Sequence, residues 1–239
     1  MEDSIKSRLM HIQARIASAA ARAERVVDEI TLIAVSKTHP ASAIREAFGA
    51  GVRHFGENRV QEWEGKLAGI AGLEASWHLI GNLQSNKAAK AAKQFHCIDS
   101  VDSVALAEKL NRAREERESG KKLRVLIEVR VAQEETKSGV EIKELPILAE
   151  KVEKLAHLEF AGLMCIPPFL EDPERVRPYF RALRRLRDDL AGRLSRELPV
   201  LSMGMSHDFE VAIEEGATEV RIGTALFGSR KVYEGNSPA

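Results

Sequence analysis

The chain has 239 residues, 44% hydrophobic and 30% charged, with 36 Lys+Arg exactly balanced by 36 Asp+Glu. At this length a folded chain removes roughly 70% of its unfolded surface from water, so a core is available without disulfides or metals. Zero formal charge gives no long-range pull toward phosphate backbones or anionic lipid, which argues against nucleic-acid and membrane-surface roles. Cys97 and Cys165 stand far apart with no C-x-x-C pair, and the first ten residues (MEDSIKSRLM) carry acids instead of the apolar stretch of a secretion signal. These features predict a reducing, cytoplasmic setting and no Cys/His metal cluster.

In chain order, Ile5, Leu9, Ile12, Ile16, Ala20, Ala23, Val27 and Ile30 recur every three or four residues. That spacing predicts one long amphipathic helix over 4–30. Eight short apolar or β-branched runs follow, at 32–35, 52–55, 77–80, 96–98, 123–129, 158–164, 199–203 and 219–222. Helical segments are predicted between them at 41–50, 58–70, 85–95, 103–119, 143–156, 173–194 and 207–215. Strict strand and helix alternation implies a parallel sheet with crossover helices, and eight units predict an α/β fold closed as a (β/α)8 TIM barrel, although a doubly wound sheet shares the local pattern. We read one domain over 1–239: an extra N-terminal helix at 4–30 covering the gap left by a missing last helix, a barrel at 31–228 and a tail at 229–239. The arginine-rich 173–194 segment keeps Val176, Phe180, Leu183, Leu186, Leu190 and Leu194 on one stripe. It reads as a solvated outer helix.

Barrel chemistry gathers at the carboxyl ends of strands. Lys37 closes the first run, where lost solvation would lower its pKa and free its amine to attack an aldehyde; a lysine snorkelling to the rim fits the same position. Asn58 follows the second run and His78 lies inside the third, the latter readable as a satisfied core histidine. Ser85 is a candidate cap for the next helix. Ser202 to Ser206, then Arg221, Gly223 and Thr224, place small residues and hydroxyls after the seventh and eighth strands, where barrels often hold phosphate; Ser206 is also readable as a plain helix N-cap. Gly204 to Asp208 misses the last glycine of a G-x-S-x-G elbow, and adjacent Ser206, His207 and Asp208 diverge on a helix, so neither forms a triad. Neither a P-loop nor a G-x-G-x-x-G is present in the sequence.

The motifs A-V-S-K-T (34–38), F-G-E-N-R-V-Q-E (55–62), H-L-I-G-N-L-Q-S-N-K (78–87), K-S-G (137–139), G-L-M-C-I-P-P (162–168), L-S-M-G-M-S-H-D (201–208) and V-R-I-G-T-A-L-F-G (220–228) together resemble the YggS/PROSC-type pyridoxal 5′-phosphate (PLP) homeostasis proteins. The resemblance implies a fold-type III barrel like the N-terminal domain of alanine racemase, with PLP on Lys37 as an internal aldimine. It further implies Arg221 at the pyridine nitrogen, phosphate held by Ser206, Gly223 and Thr224 with Ser202 nearby, and Asn58, His78 and Met164 lining the ring pocket. An arginine keeps its proton and leaves the ring nitrogen unprotonated, which weakens the ring as an electron sink.

Two functions then compete. A racemase of the alanine-racemase type needs a proton acceptor and a proton donor on opposite faces of the substrate α-carbon; Lys37 can serve one face, the opposite base of alanine racemases is a tyrosine from a further domain, and neither Tyr179 nor Tyr233 is placed for that role. The resemblance implies instead a non-catalytic carrier in vitamin B6 balance, with PLP-dependent apo-enzymes as receivers, no nucleic acid or membrane partner, and a monomeric or weakly dimeric state. Lys137 is a candidate secondary contact or an ordinary solvated lysine. A phosphosugar-type barrel enzyme, using the same phosphate loops, is the third reading.

Overall fold

The computed structural model describes residues 4–116, 120–132 and 138–228. Eight parallel strands form its sheet: β1 (Thr31–Val35), β2 (His54–Glu57), β3 (Ser76–Leu79), β4 (Cys97–Val101), β5 (Leu123–Arg130), β6 (Leu158–Met164), β7 (Val200–Met205) and β8 (Glu219–Ile222). Each pairs with the next, and β1 pairs with β8, so the sheet closes into the predicted barrel. A two-residue strand, Val140–Glu141, adds to the carboxyl end of β5 outside the barrel.

Helices α2 (Ala41–Gly49), α3 (Val60–Ile70), α4 (Ala88–Gln94), α5 (Val104–Glu115), α6 (Leu145–Glu153), α7 (Arg177–Leu194) and α8 (Phe209–Glu214) follow strands β1 to β7, and the four-residue α9 (Thr224–Phe227) follows β8. The first helix, α1 (Ile5–Arg22), packs against α8, α9 and α2, covering the β8–β1 side as expected for a barrel lacking a full eighth helix. The expected extension of α1 to residue 30 is not seen. Glu24 adopts φ +54°, its N–H bonds Ala21 O and the Arg25 N–H bonds Ala20 O, the paired bonds of a Schellman stop. Val27 therefore lies in a separate short turn, 43% exposed.

The main core lies between the strands' outer faces and the helices; Phe55, Phe160, Phe180 and Phe209 are among its fully buried members. A smaller cluster inside the barrel joins Leu126, Ala161, Met164 and Val200. The arginines of α7 meet acids of neighbouring elements: Arg177 and Arg181 bond Glu215, and Arg193 bonds Glu150. That pattern matches a solvated outer face.

Four strands end further along the chain than the sequence pattern indicates, β2 at Glu57, β4 at Val101, β5 at Arg130 and β7 at Met205. β2 includes Gly56 and Glu57 because Gly56 pairs with both Val35 and His78. A Cβ there would sit 3.0 Å from the Ile80 side chain and 3.1 Å from that of Ile33. β4 continues through the polar pair Asp99 and Ser100, both fully buried. Ser85 starts a short turn of Ser85–Lys87 and does not cap α4, whose N-cap residue is Lys87.

Candidate active site at the carboxyl end of the barrel

Lys37 leaves the end of β1 half-buried in a turn. The next residue, Thr38, holds φ +66°, an uncommon state for a β-branched residue. β1 neighbours β8, with Ile33 opposite Arg221, so the first and last strands bring the Lys37 turn beside the Gly223 loop. The ring of His39 stacks on Phe227 of α9 at 4.8 Å and joins the two loops further.

Arg221 is 3% exposed. Its guanidinium donates to Ser202 Oγ at 2.8 Å and to the Cys165 carbonyl at 2.8 Å. Ser202 pairs in register with Met164, and Met164 with Glu128, so these residues form one row across β7, β6 and β5. Met164 is fully buried on the barrel's inner cluster.

Ser206 is not an N-cap. Its Oγ accepts the N–H groups of Gly223 (3.2 Å) and Ala225 (3.3 Å), which ties the loop after β7 to the loop after β8. Asp208 occupies the α8 cap position and turns its carboxylate back to the Met205 N–H at 2.6 Å. Gly204 has φ +92°, and a Cβ on it would lie 2.6 Å from the Ala212 Cβ, so only glycine lets β7 run this close to α8. Thr224 is exposed at the start of α9.

Asn58 follows β2 half-buried. The loop after β3 presses on its backbone, since a Cβ on Gly81 would lie 2.5 Å from Asn58 O. Asn58 also lines a cavity of about 680 Å³ with Arg59, Gln84 and Lys87, to one side of the Arg221 row.

His78 sits deeper. Val35 pairs with Gly56 and Gly56 with His78, so Lys37 lies two residues nearer the mouth in register. Both ring nitrogens of His78 are engaged, with His54 Nδ1 at 3.0 Å and with Asp99 Oδ2 at 3.2 Å. Burial lowers the His78 pKa, but the Asp99 carboxylate outweighs it and the net shift is upward. His54 is pushed down to about 4 by burial and by His78. His78 can therefore offer a ligand a ring edge but no ring nitrogen. Lys137 lies outside the described residues.

Sequence reasoning missed Glu128. It is 3% exposed, and its side chain makes no hydrogen bond among the described residues. Burial raises its pKa to about 7, with Arg221 opposing the rise and Asp102 adding to it. The available signal was one acid inside the apolar run L-R-V-L-I-E-V-R.

An amine at the rim, a buried guanidinium anchored from behind, and small-residue loops with hydroxyls at two neighbouring strand ends suit a phosphorylated, electrophilic heteroaromatic ligand. The carboxyl of Glu128, buried near the Arg221 charge with its pKa pushed up to about 7, adds a titratable group to the same end of the barrel.

Fold and site define a barrel of the class described as alanine racemase, N-terminal domain, whose pattern matches residues 8–231. An alanine racemase from Corynebacterium glutamicum shares this fold (TM-score 0.70, 20% identity, 96% of this chain and 63% of that one). Within the class, the chain is 48% identical over 224 residues to the pyridoxal phosphate homeostasis protein of Aquifex aeolicus, covering 94% of this chain and 97% of that one. It is 43% identical over 235 residues to the protein of that name in Escherichia coli, covering 95% and 97%. The structure of PipY of Synechococcus elongatus with PLP bound superposes with a TM-score of 0.81 at 40% identity, covering 94% of this chain and all of that one. The chain belongs to the pyridoxal phosphate homeostasis protein family.

Proposed function

We propose that this chain holds pyridoxal 5′-phosphate reversibly and acts in intracellular PLP balance without substantial catalysis. In this reading Lys37 is the covalent anchor, Arg221 faces the ring nitrogen, and Ser206, Gly223 and Thr224 hold the phosphate. Ser202 fixes Arg221, while Asn58, Met164 and the edge of His78 line the pocket. The bound cofactor supplies an electrophilic aldehyde on an electron-withdrawing ring. The barrel over 31–228 acts with the N-terminal helix as one cofactor-binding unit of fold type III, cytoplasmic, monomeric or weakly dimeric, with apo-enzymes that use PLP as receivers. No helix among the described residues is long and apolar enough to cross a membrane.

The observation that carries this reading is Arg221, buried and anchored to Ser202 and Cys165 on the strand next to that of Lys37. Its fixed positive charge keeps a facing ring nitrogen unprotonated, which suits retention better than carbanion chemistry. Tyr179, a candidate for a second base, packs on the hydrophobic layer outside the barrel; Tyr233 lies outside the described residues.

Purified protein is expected to carry a visible absorption band, and borohydride is expected to fix the cofactor on the peptide containing Lys37. The Lys37→Ala variant is expected to be colourless; retention of the band in that variant would overturn the anchor. Exchange of amino-acid α-protons with deuterated solvent at ordinary enzymatic rates, roughly 1 s⁻¹ or faster, would replace the carrier with a racemase.

A further inference from the structure

The turn that presents Lys37 is held from behind by a buried charged cluster between β1, β2 and α3. Ser36 and Glu57 are fully buried, and Lys66 of α3 is nearly so. Lys66 Nζ donates to Ser36 O at 2.9 Å, to Glu57 Oε1 and Oε2 at 2.8 and 3.0 Å, and to Glu62 Oε1 at 2.9 Å. Ser36 Oγ donates to Glu57 Oε1 at 2.6 Å. Glu62 Oε1 also accepts the Thr38 N–H, and Ser36 O accepts the His39 N–H at 3.1 Å.

These bonds close on Lys37 from both sides. The peptide plane before its Cα is tied through the Ser36 carbonyl, and the plane after it through the Thr38 N–H. Two fixed peptide planes leave the φ and ψ of Lys37 little freedom. The barrel ladder does not reach this far: its bond from Ser36 N to Gly56 O ends before the turn. The left-handed Thr38, unfavourable by itself, persists because the surrounding bonds over-determine it.

We propose that Glu62 and Lys66, acting through Glu57 and Ser36, are positioning residues for Lys37. They set the angle at which its amine leaves the rim and so govern how long a covalently held cofactor stays. The inference rests on the reading of Lys37 as the anchor. Burial stiffens the arm made by Lys66, Glu57 and Ser36, because hydrogen bonds to charged groups are stronger away from water, while the Glu62 arm lies nearer the surface.

The test compares wild type, Glu62→Ala and Glu62→Gln, chosen because Glu62 is partly exposed (28% of its side chain) and its loss spares the core. Cofactor release from the loaded proteins into excess amine is followed by decay of the visible band. Amide hydrogen exchange at Thr38 is followed in the cofactor-free proteins. Glu62→Ala is expected to release cofactor roughly ten-fold faster or more and to speed Thr38 exchange, with the midpoint of thermal unfolding little changed. Glu62→Gln keeps an oxygen for the Thr38 N–H and is expected to recover most of both effects, which a general loss of stability would not do. Unchanged release and exchange in Glu62→Ala would overturn the clamp while leaving Lys37 as the anchor. A wild type with no band would remove the anchor instead; the exchange comparison then still decides whether Glu62 holds the turn.

Discussion

The two ends of the barrel interior are both polar, but they handle polarity in opposite ways. Toward the amino ends of the strands, His54, His78 and Asp99 form a chain of contacts, and Arg124 pairs with Glu219. Most charged groups there meet one another within the protein, although Asp99 Oδ1 and Glu219 Oε2 have no hydrogen-bond partner among the described residues. Toward the carboxyl ends, Arg221 is anchored only from behind and the Glu128 side chain has no hydrogen-bond partner among the described residues. One end ties its histidines, acids and arginine largely to one another; the other leaves the carboxyl of Glu128 without a side-chain hydrogen bond near the anchored Arg221.

Mutation can separate these roles. The largest effect is expected from Asp99→Ala, which leaves the raised-pKa imidazole of His78 without its counter-charge. Breaking a buried pair by removing one partner costs about 3–5 kcal/mol. Urea unfolding is expected to show that loss, and a variant as stable as wild type would deny the lower network its structural role.

Next in size is Glu128→Gln. A carboxyl whose pKa rises from the ordinary carboxylate range to about 7 on folding binds more protons in the folded state across that interval, so its contribution to stability falls as pH rises through it. The substitution is expected to raise stability at pH 8 by up to about 3 kcal/mol and to flatten the slope between pH 5 and 7. At the histidine end His54 gives the opposite sign, whereas His78, whose pKa is raised by Asp99, shares the sign of Glu128. His54, held down to about 4, binds fewer protons folded than unfolded, so stability is lost as pH falls from the ordinary histidine range toward 4. His54→Leu is expected to shrink that acid limb, and chemical denaturation at a series of pH values reads both slopes.

The smallest effect is expected from Ser206→Ala. It frees the Gly223 and Ala225 N–H groups at a cost of about 1 kcal/mol, visible in thermal unfolding, with a larger proportional loss in cofactor retention. Equal losses in both measurements would make the bridge between the β7 and β8 loops purely structural.

The barrel was legible in the sequence because short runs rich in apolar and β-branched residues alternate with amphipathic helices, the order a parallel sheet with crossover helices requires. Lys37, Arg221, Ser206 and Gly223 were legible because each closes or follows such a run. The overreach of α1 to residue 30 came from an apolar period that continues past a stop made by Glu24, a residue with no glycine signature. Glu62 and Lys66 were hidden for a different reason: an acid and a base four apart on a helix read as an ordinary solvent pair. Only packing of α3 over β1 and β2 turns them inward. Asp99 and Glu128 lie on strands where the inner face is polar, against the rule that buried strands read as hydrophobic.

The pairing of β1 with β8 has a consequence for how the molecule is made. In the proposed site the amine of Lys37 follows the first strand and the guanidinium of Arg221 sits on the last, so neither half of the chain carries both groups. A ligand that needs both strands selects for the finished ring and adds its binding free energy to closure.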